Sequence, residues 1–160
     1  MTAQQSYANG ELDREIVLSR VIDASAELVY QAWVESDRMF QWFGPTGYQC
    51  EANPQSEACV GEVRRFVMTG PDGQRWESRM TFLEVIPNQR LVFDHGSDID
   101  NDPQRFKVTV TFDQQGDGKT VLTLRQLHPN KARRDWGIGI GAVELGYQTL
   151  GKLSDFIAKR

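Results

Sequence analysis

Residues 133–160, RRDWGIGIGAVELGYQTLGKLSDFIAKR, carry the reading that decides the fold. Apolar residues recur here at helical spacing, which predicts one helical segment of about 25 residues. Gly139, Ala142, Gly146, Leu150, Leu153 and Ile157 share a face, with Val143 beside it. The second half of that face is bulky and the first half nearly bare. Gly137, Gly139, Gly141, Gly146 and Gly151 make such a helix unfavourable, since an interior glycine costs about 1 kcal/mol relative to alanine. Two explanations fit. Small residues let a helix press its backbone onto a neighbour, or they leave a space that other elements must enclose.

The segment upstream says what the helix faces. Residues 47 to 129 read as strands, expected near 47–57, 61–69, 74–86, 90–96, 105–114 and 119–128. Phe106, Val108, Val110 and Phe112 alternate with Lys107, Thr109, Thr111 and Asp113, the pattern of an antiparallel strand with one wet face. The separators are turn formers: Gly61, Pro71-Asp72-Gly73, Pro87-Asn88, the stretch from Asp98 to Pro103, and the Gly116-Asp117-Gly118 hairpin. Further upstream, residues 14–23 form a β-branched strand. Ser25 is placed to cap a helix over 26–34, and Asp37 to cap a second over 38–43 that Gly44-Pro45 ends. The order is one strand, two short helices, six strands and one long helix. Consecutive strands with short turns make a meander, and only the last helix is long enough to cover its apolar face. The class is therefore α+β, in a single domain over 14–160 after a flexible lead over 1–13.

If the bare half of the helix leaves room, its walls follow from strand parity. Trp33, Trp42 and Phe43 come from the short helices. The strands add Tyr48, Arg64, Phe66, Met68, Trp76, Met80, Phe93, His95, Val108, Val110, Leu124 and Gln126, and the last helix adds Gly139, Ala142, Val143 and Gly146. Aromatic and methionine side chains make an adaptable apolar wall, the usual lining of a small-molecule pocket. Arg64 shares its face with Phe66 and Met68. It is expected toward the mouth, there to pair with a ligand carboxylate or to snorkel into water. Arg133 and Arg134 are expected in solvent.

Other chemistry is sparse. His95 and His128 are the only histidines. Each follows apolar residues at period two, so each could turn inward as an acid or base, though a solvated rim position is favoured. No nucleophile elbow, zincin motif or phosphate loop occurs, and 137–141 fails the dinucleotide spacing. Glu77 and Glu84 have opposite parity. Asp98, Asp100 and Asp102 lack the glycine and terminal glutamate of a calcium loop. No catalytic residue, metal or cofactor is expected, and Cys50 and Cys59 are expected to be unpaired thiols. The net charge of −4 argues against a general nucleic-acid binder. No apolar run reaches the roughly 20 residues of a membrane helix, and no signal-type stretch opens the chain, so a cytoplasmic protein is expected.

Residues 24–47, ASAELVYQAWVESDRMFQWFGPTG, resemble the family related to the activator of the heat-shock-protein-90 ATPase, within the START and polyketide-cyclase-like superfamily (SRPBCC). Similar features follow in order: Gly61-Glu62-Val63, Arg65-Phe66, Glu84-Val85 before Pro87, Arg90-Leu91-Val92-Phe93, and Gly146-Tyr147 with Leu150, Leu153 and Ile157. The resemblance spans nearly the whole chain and implies a β-α-α-β6-α helix-grip fold. It implies no single activity. Three functions are weighed. Binding of a small apolar or amphipathic molecule, such as a lipid, polyketide or aromatic metabolite, is favoured. A cyclase or hydrolase would require His95, His128, Arg64 or Tyr48 to converge. A module acting on a heat-shock protein 90 is not favoured, since a lone domain has no second segment for bivalent contact. Monomer and homodimer both remain open.

Overall fold

Alternation of side chains writes the sheet. In the computed structural model, which describes residues 12–52 and 57–159, seven strands form one antiparallel sheet. They are β1 (Glu15–Ile22), β2 (Gln49–Glu51), β3 (Val63–Thr69), β4 (Arg75–Ile86), β5 (Arg90–Ser97), β6 (Phe106–Gln114) and β7 (Thr120–Leu127). Strands β2 to β7 run as a meander, and β1 adds beside β7, giving the order β1-β7-β6-β5-β4-β3-β2. Ile16, Leu18 and Ile22 of β1 turn into the core, as do Val108, Val110 and Phe112 of β6 and Leu122 and Leu124 of β7. These residues meet across the sheet in rungs. One reads Leu18–Leu124–Val110–Leu91, and the next Ile16–Gln126–Val108–Phe93–Phe82.

Residues 1–11 of the expected lead lie outside the described residues. The strand expected over 47–57 is shorter, with β2 covering only Gln49–Glu51, and 53–56 also lie outside the described residues. A register shift between Phe82 and Glu84 keeps both Phe82 and Val85 against the core. It also overturns the parity expected for Glu77 and Glu84. Both face outward, but seven residues apart, and Glu84 pairs with Arg90 instead.

Helix α1 (Ala26–Val34) starts where expected, with Ser25 Oγ accepting from the Leu28 N–H at 3.3 Å. Helix α2 (Ser36–Trp42) follows at once. Asp37 lies in its first turn and is not its cap; Glu35 holds that position without a side-chain bond. The two helices are joined by the Trp42 indole N–H, which donates to the Ala32 carbonyl at 3.1 Å. Arg64 locks the same corner. Its guanidinium donates to the Trp33 and Val34 carbonyls, at 3.0 and 2.7 Å, and contacts Met39 Sδ at 3.1 Å. These carbonyls end α1 and have no helical partner, so the cation closes the helix terminus.

The expected single C-terminal helix is two. Helix α3 (Lys131–Gly139) is capped by Asn130 Oδ1, which accepts from the Arg133 N–H at 2.8 Å. Helix α4 (Ala142–Ala158) follows after Ile140 and Gly141. Gly141 has φ +91°, a left-handed conformation that glycine adopts without a Cβ clash. Glycines at 137, 139 and 141 weaken the helix in just this stretch, and the chain turns there. Helix α4 then crosses the inner face of the sheet with Leu150, Leu153 and Ile157 buried. Gly146 lets it approach β1: a Cβ there would overlap Leu18 Cδ1. No helix among the described residues is long and apolar enough to cross a membrane.

Candidate functional site

The two ends of the core differ. Around Leu91, Val110, Phe112 and Leu122, side chains from α1 and the second half of α4 pack against the sheet and bury it. One rung further, a cavity of about 270 Å³ opens. Its floor is Phe93 and His95 of β5, Phe106 and Val108 of β6, Leu124 and Gln126 of β7, His128 just beyond, and Leu18 of β1. Trp33, Phe43, Gly44, Pro45 and Met68 form one side. Helices α3 and α4 form the other, with Arg133, Trp136, Gly137 and Ile140 from the first and Ala142, Leu145, Gly146 and Thr149 from the second. Trp136 and Ile140 are 51% and 56% exposed and stand at the mouth. Among the described residues no carboxylate lies on the wall.

Rings run in a row across the floor. His128 stacks on Phe106 with centroids 4.7 Å apart, Phe106 lies 5.2 Å from His95, and His95 meets Phe66 at 5.8 Å and Phe43 at 6.1 Å. Burial among these rings pushes the His95 pKa down to about 4. His128 is buried, and its Nε2 lies 3.2 Å from Gln126 Oε1. Burial first, and the Arg133 and Arg134 charges second, lower its pKa too. Both imidazoles are therefore neutral at pH 7. Phe106 separates them, and among the described residues no carboxylate pairs with either.

Of the residues expected on the wall, Trp33, Phe43, Met68, Phe93, His95, Val108, Leu124, Gln126, Ala142 and Gly146 come together there. The others do not. Trp42, Phe66, Met80 and Val110 are core residues beside the cavity, and Val143 packs against the core from α4. Gly139 faces open space on α3. Trp76 has the inward parity but lies past the cavity, 38% exposed and stacked on Tyr48 at 5.8 Å. Arg64, expected at the mouth, is 1% exposed inside the α1 corner, because three acceptors there draw it inward. Arg64 and Tyr48 therefore do not converge with the histidines.

Among the wall residues the sequence reading missed are Leu18, Phe106, Arg133, Trp136 and Ile140, besides Gly44, Pro45, His128, Gly137, Leu145 and Thr149. Leu18 and Phe106 had a signal, since both continue an inward parity. Arg133, Trp136 and Ile140 follow from the helix break, which turns α3 toward the mouth; the Gly-x-Gly-x-Gly spacing was its mark. Cys50 and Cys59 are free, and burial pushes the Cys50 thiol up to about 12. No group of three or more His, Cys, Asp or Glu side chains placed to hold a metal occurs among the described residues.

Comparison with known proteins places this architecture. The fold matches a solution structure of a protein from Arthrobacter aurescens, with TM-score 0.84 and 18% identity, covering 93% of this chain and 88% of that one. A solution structure from Staphylococcus epidermidis matches with TM-score 0.80 and 18% identity, over 91% and 90%. The crystal structure of the AHSA1 protein from Silicibacter pomeroyi matches with TM-score 0.70 and 21% identity, over 90% and 97%. At these identities the likeness is one of fold. Comparison with curated proteins gives no significant match. The family model described as "Activator of Hsp90 ATPase homolog 1-like protein" matches residues 23–157. With that match over most of its length and the curved antiparallel sheet gripping a C-terminal helix, the chain belongs to the Activator of Hsp90 ATPase homolog 1-like family, in the helix-grip fold.

Proposed function

We propose that the chain binds a small apolar or amphipathic molecule in the cavity beneath α3 and α4, and performs no chemistry on it. The observation that carries this reading is an apolar, partly open cavity of about 270 Å³ enclosed between the sheet and the two C-terminal helices. A concave apolar pocket with a few polar groups at its edge is the usual form of a small-molecule site. An apolar void of roughly 150 Å³ already holds a benzene ring. This one suits a body of one or two rings, or a short branched chain. The wall supports binding over turnover. Its two neutral histidines are held apart by Phe106, and an acid–base pair would need a shared reacting point.

Native mass spectrometry of the purified protein tests for a retained molecule directly. A thermal-shift series with 2-naphthalenemethanol tests capacity. At a hundred times its dissociation constant a ligand stabilises the fold by about 2.7 kcal/mol. No shift with this or similar one- and two-ring probes, and no retained molecule, would overturn the reading.

A cavity-filling variant sharpens the test. Gly137 lies on the wall inside α3, and a Cβ there meets only Ala142 Cβ at 3.8 Å and Ile16 Cδ1 at 3.9 Å, ordinary contacts. Gly137→Leu is expected to raise the stability of the unliganded protein by about 1 kcal/mol from helix propensity alone. The same side chain occupies the void, so binding of 2-naphthalenemethanol should fall at least tenfold. A variant both more stable and unable to bind separates loss of space from loss of fold. Unchanged binding would show that the probe sits elsewhere.

A further inference from the structure

We infer that the cavity takes a small monocarboxylic acid, its apolar body on the floor and its carboxylate held at the mouth by Arg133. The inference rests on the cavity reading above and adds the chemistry of the ligand's head. Among the described residues Arg133 is the only cation on the wall, and it is placed by two constraints. Its backbone N–H is fixed in the Asn130 cap, and its guanidinium lies over the Trp136 ring at 4.0 Å from the centroid. Trp136 is itself a mouth residue, so the ring holds the cation at the rim.

The charge on Arg133 is uncommitted. Among the described residues no carboxylate lies within ion-pair distance of its guanidinium. The nearest acid in sequence, Asp135, is engaged by Lys131 at 2.6 Å and Arg134 at 2.9 Å. Glu144, the next acid along the chain, is exposed and off the wall. The field of Arg133 nevertheless reaches inward, since it helps to lower the His128 pKa. His128 therefore stays neutral and leaves the positive charge of the mouth to Arg133. A planar guanidinium with free donors matches a carboxylate in two parallel hydrogen bonds. One uncommitted cation balances one negative charge, and the apolar wall behind it favours a ring or short-chain body. An arginine meeting a carboxylate is the pairing anticipated for Arg64, and the fold assigns it to Arg133.

The test compares two probes of nearly equal shape, 2-naphthoate and 2-naphthalenemethanol, by isothermal titration calorimetry with the full chain near pH 7.5 and at low salt. The parent is expected to bind the acid at least tenfold more tightly than the alcohol. Arg133→Gln should bring the two within about twofold by weakening the acid alone. Its unchanged affinity for the alcohol reports an intact cavity. Arg134→Gln, at the residue paired with Asp135, should keep the parent's preference. Equal affinities in the parent, or a preference that survives Arg133→Gln, would overturn the assignment while leaving alcohol binding, and with it the cavity reading, in place. Binding of neither probe would overturn both.

Discussion

Arg64→Ala is expected to cost about 3–5 kcal/mol of folding stability, from unsatisfied backbone acceptors together with lost packing volume. Arg64 is 1% exposed, and its guanidinium bridges the Trp33 and Val34 carbonyls. Removing it leaves one buried and one part-buried acceptor at the end of α1 without that donor, worth about 1–3 kcal/mol when buried and unsatisfied. It also opens a space between Phe40 and Phe82, whose ring centroids lie 6.0 and 5.0 Å from the guanidinium carbon. Burial lowers the Arg64 pKa to about 10, still far above neutrality, so the charge persists at pH 7. Urea unfolding at pH 7 measures the loss, and a value below about 1 kcal/mol would show that the carbonyls find water instead. Arg64→Met separates the contributions. It restores most of the volume but no donor, so it should recover only part of the stability. Because Trp33 is both an anchor of this corner and a wall of the cavity, both variants should also weaken binding of 2-naphthalenemethanol.

Acid should destabilise the protein through His95 before most carboxylates titrate. The folded pKa of about 4 lies below the unfolded value of 6.5, so between these values the unfolded chain binds more protons. Stability contributed by the neutral imidazole is full above pH 6.5, falls as pH drops through the window, and is lost below pH 4. The difference corresponds to at most roughly 3 kcal/mol in all, and about 2 kcal/mol by pH 5, less whatever solvation a half-buried imidazole beside the open cavity regains. His128, shifted the same way, adds to this. Urea midpoints from pH 7.5 to 5 measure the slope in the parent and in His95→Phe. A phenyl ring suits a position between Phe43, Phe66 and Phe106, and it cannot be protonated. The variant should lose most of the His95 share of the slope. Parallel slopes would mean that water reaches the imidazole and solvates its charged form.

The sheet was legible because strand periodicity is local. Phe106, Val108, Val110 and Phe112 announce their face, and glycine-rich turns announce the ends, so six strand positions agree with the sequence reading within a few residues. Helix α1 was legible through Ser25. What escaped depends on where distant groups meet. Parity places Arg64 on the inner face, but nothing local states that the carbonyls ending α1 lie opposite it. Trp76 has correct parity and wrong depth, since its position along β4 carries it past the cavity to Tyr48. The break at Gly141 was hidden because apolar spacing continues across it. A periodicity argument weighs side chains, whereas the break arises in the backbone. Half of the expected wall therefore assembles, and Arg133, whose place at the mouth depends on the turn between α3 and α4, was read as solvent-exposed.

That turn divides the site into two parts with separate obligations. The floor is committed twice, since Phe93, Val108 and Leu124 hold the sheet together as well as bounding the void. Apart from buried Gly137, the nine residues of α3 are only partly buried or exposed, and Trp136, Ile138 and Ile140 stand in solvent. Exchanges there can reshape the entrance without loosening the rungs beneath. Sequence change can thus collect over residues 131–140 while the scaffold stays constant, and that is where descendants of one chain would come to differ in the shape of the entrance.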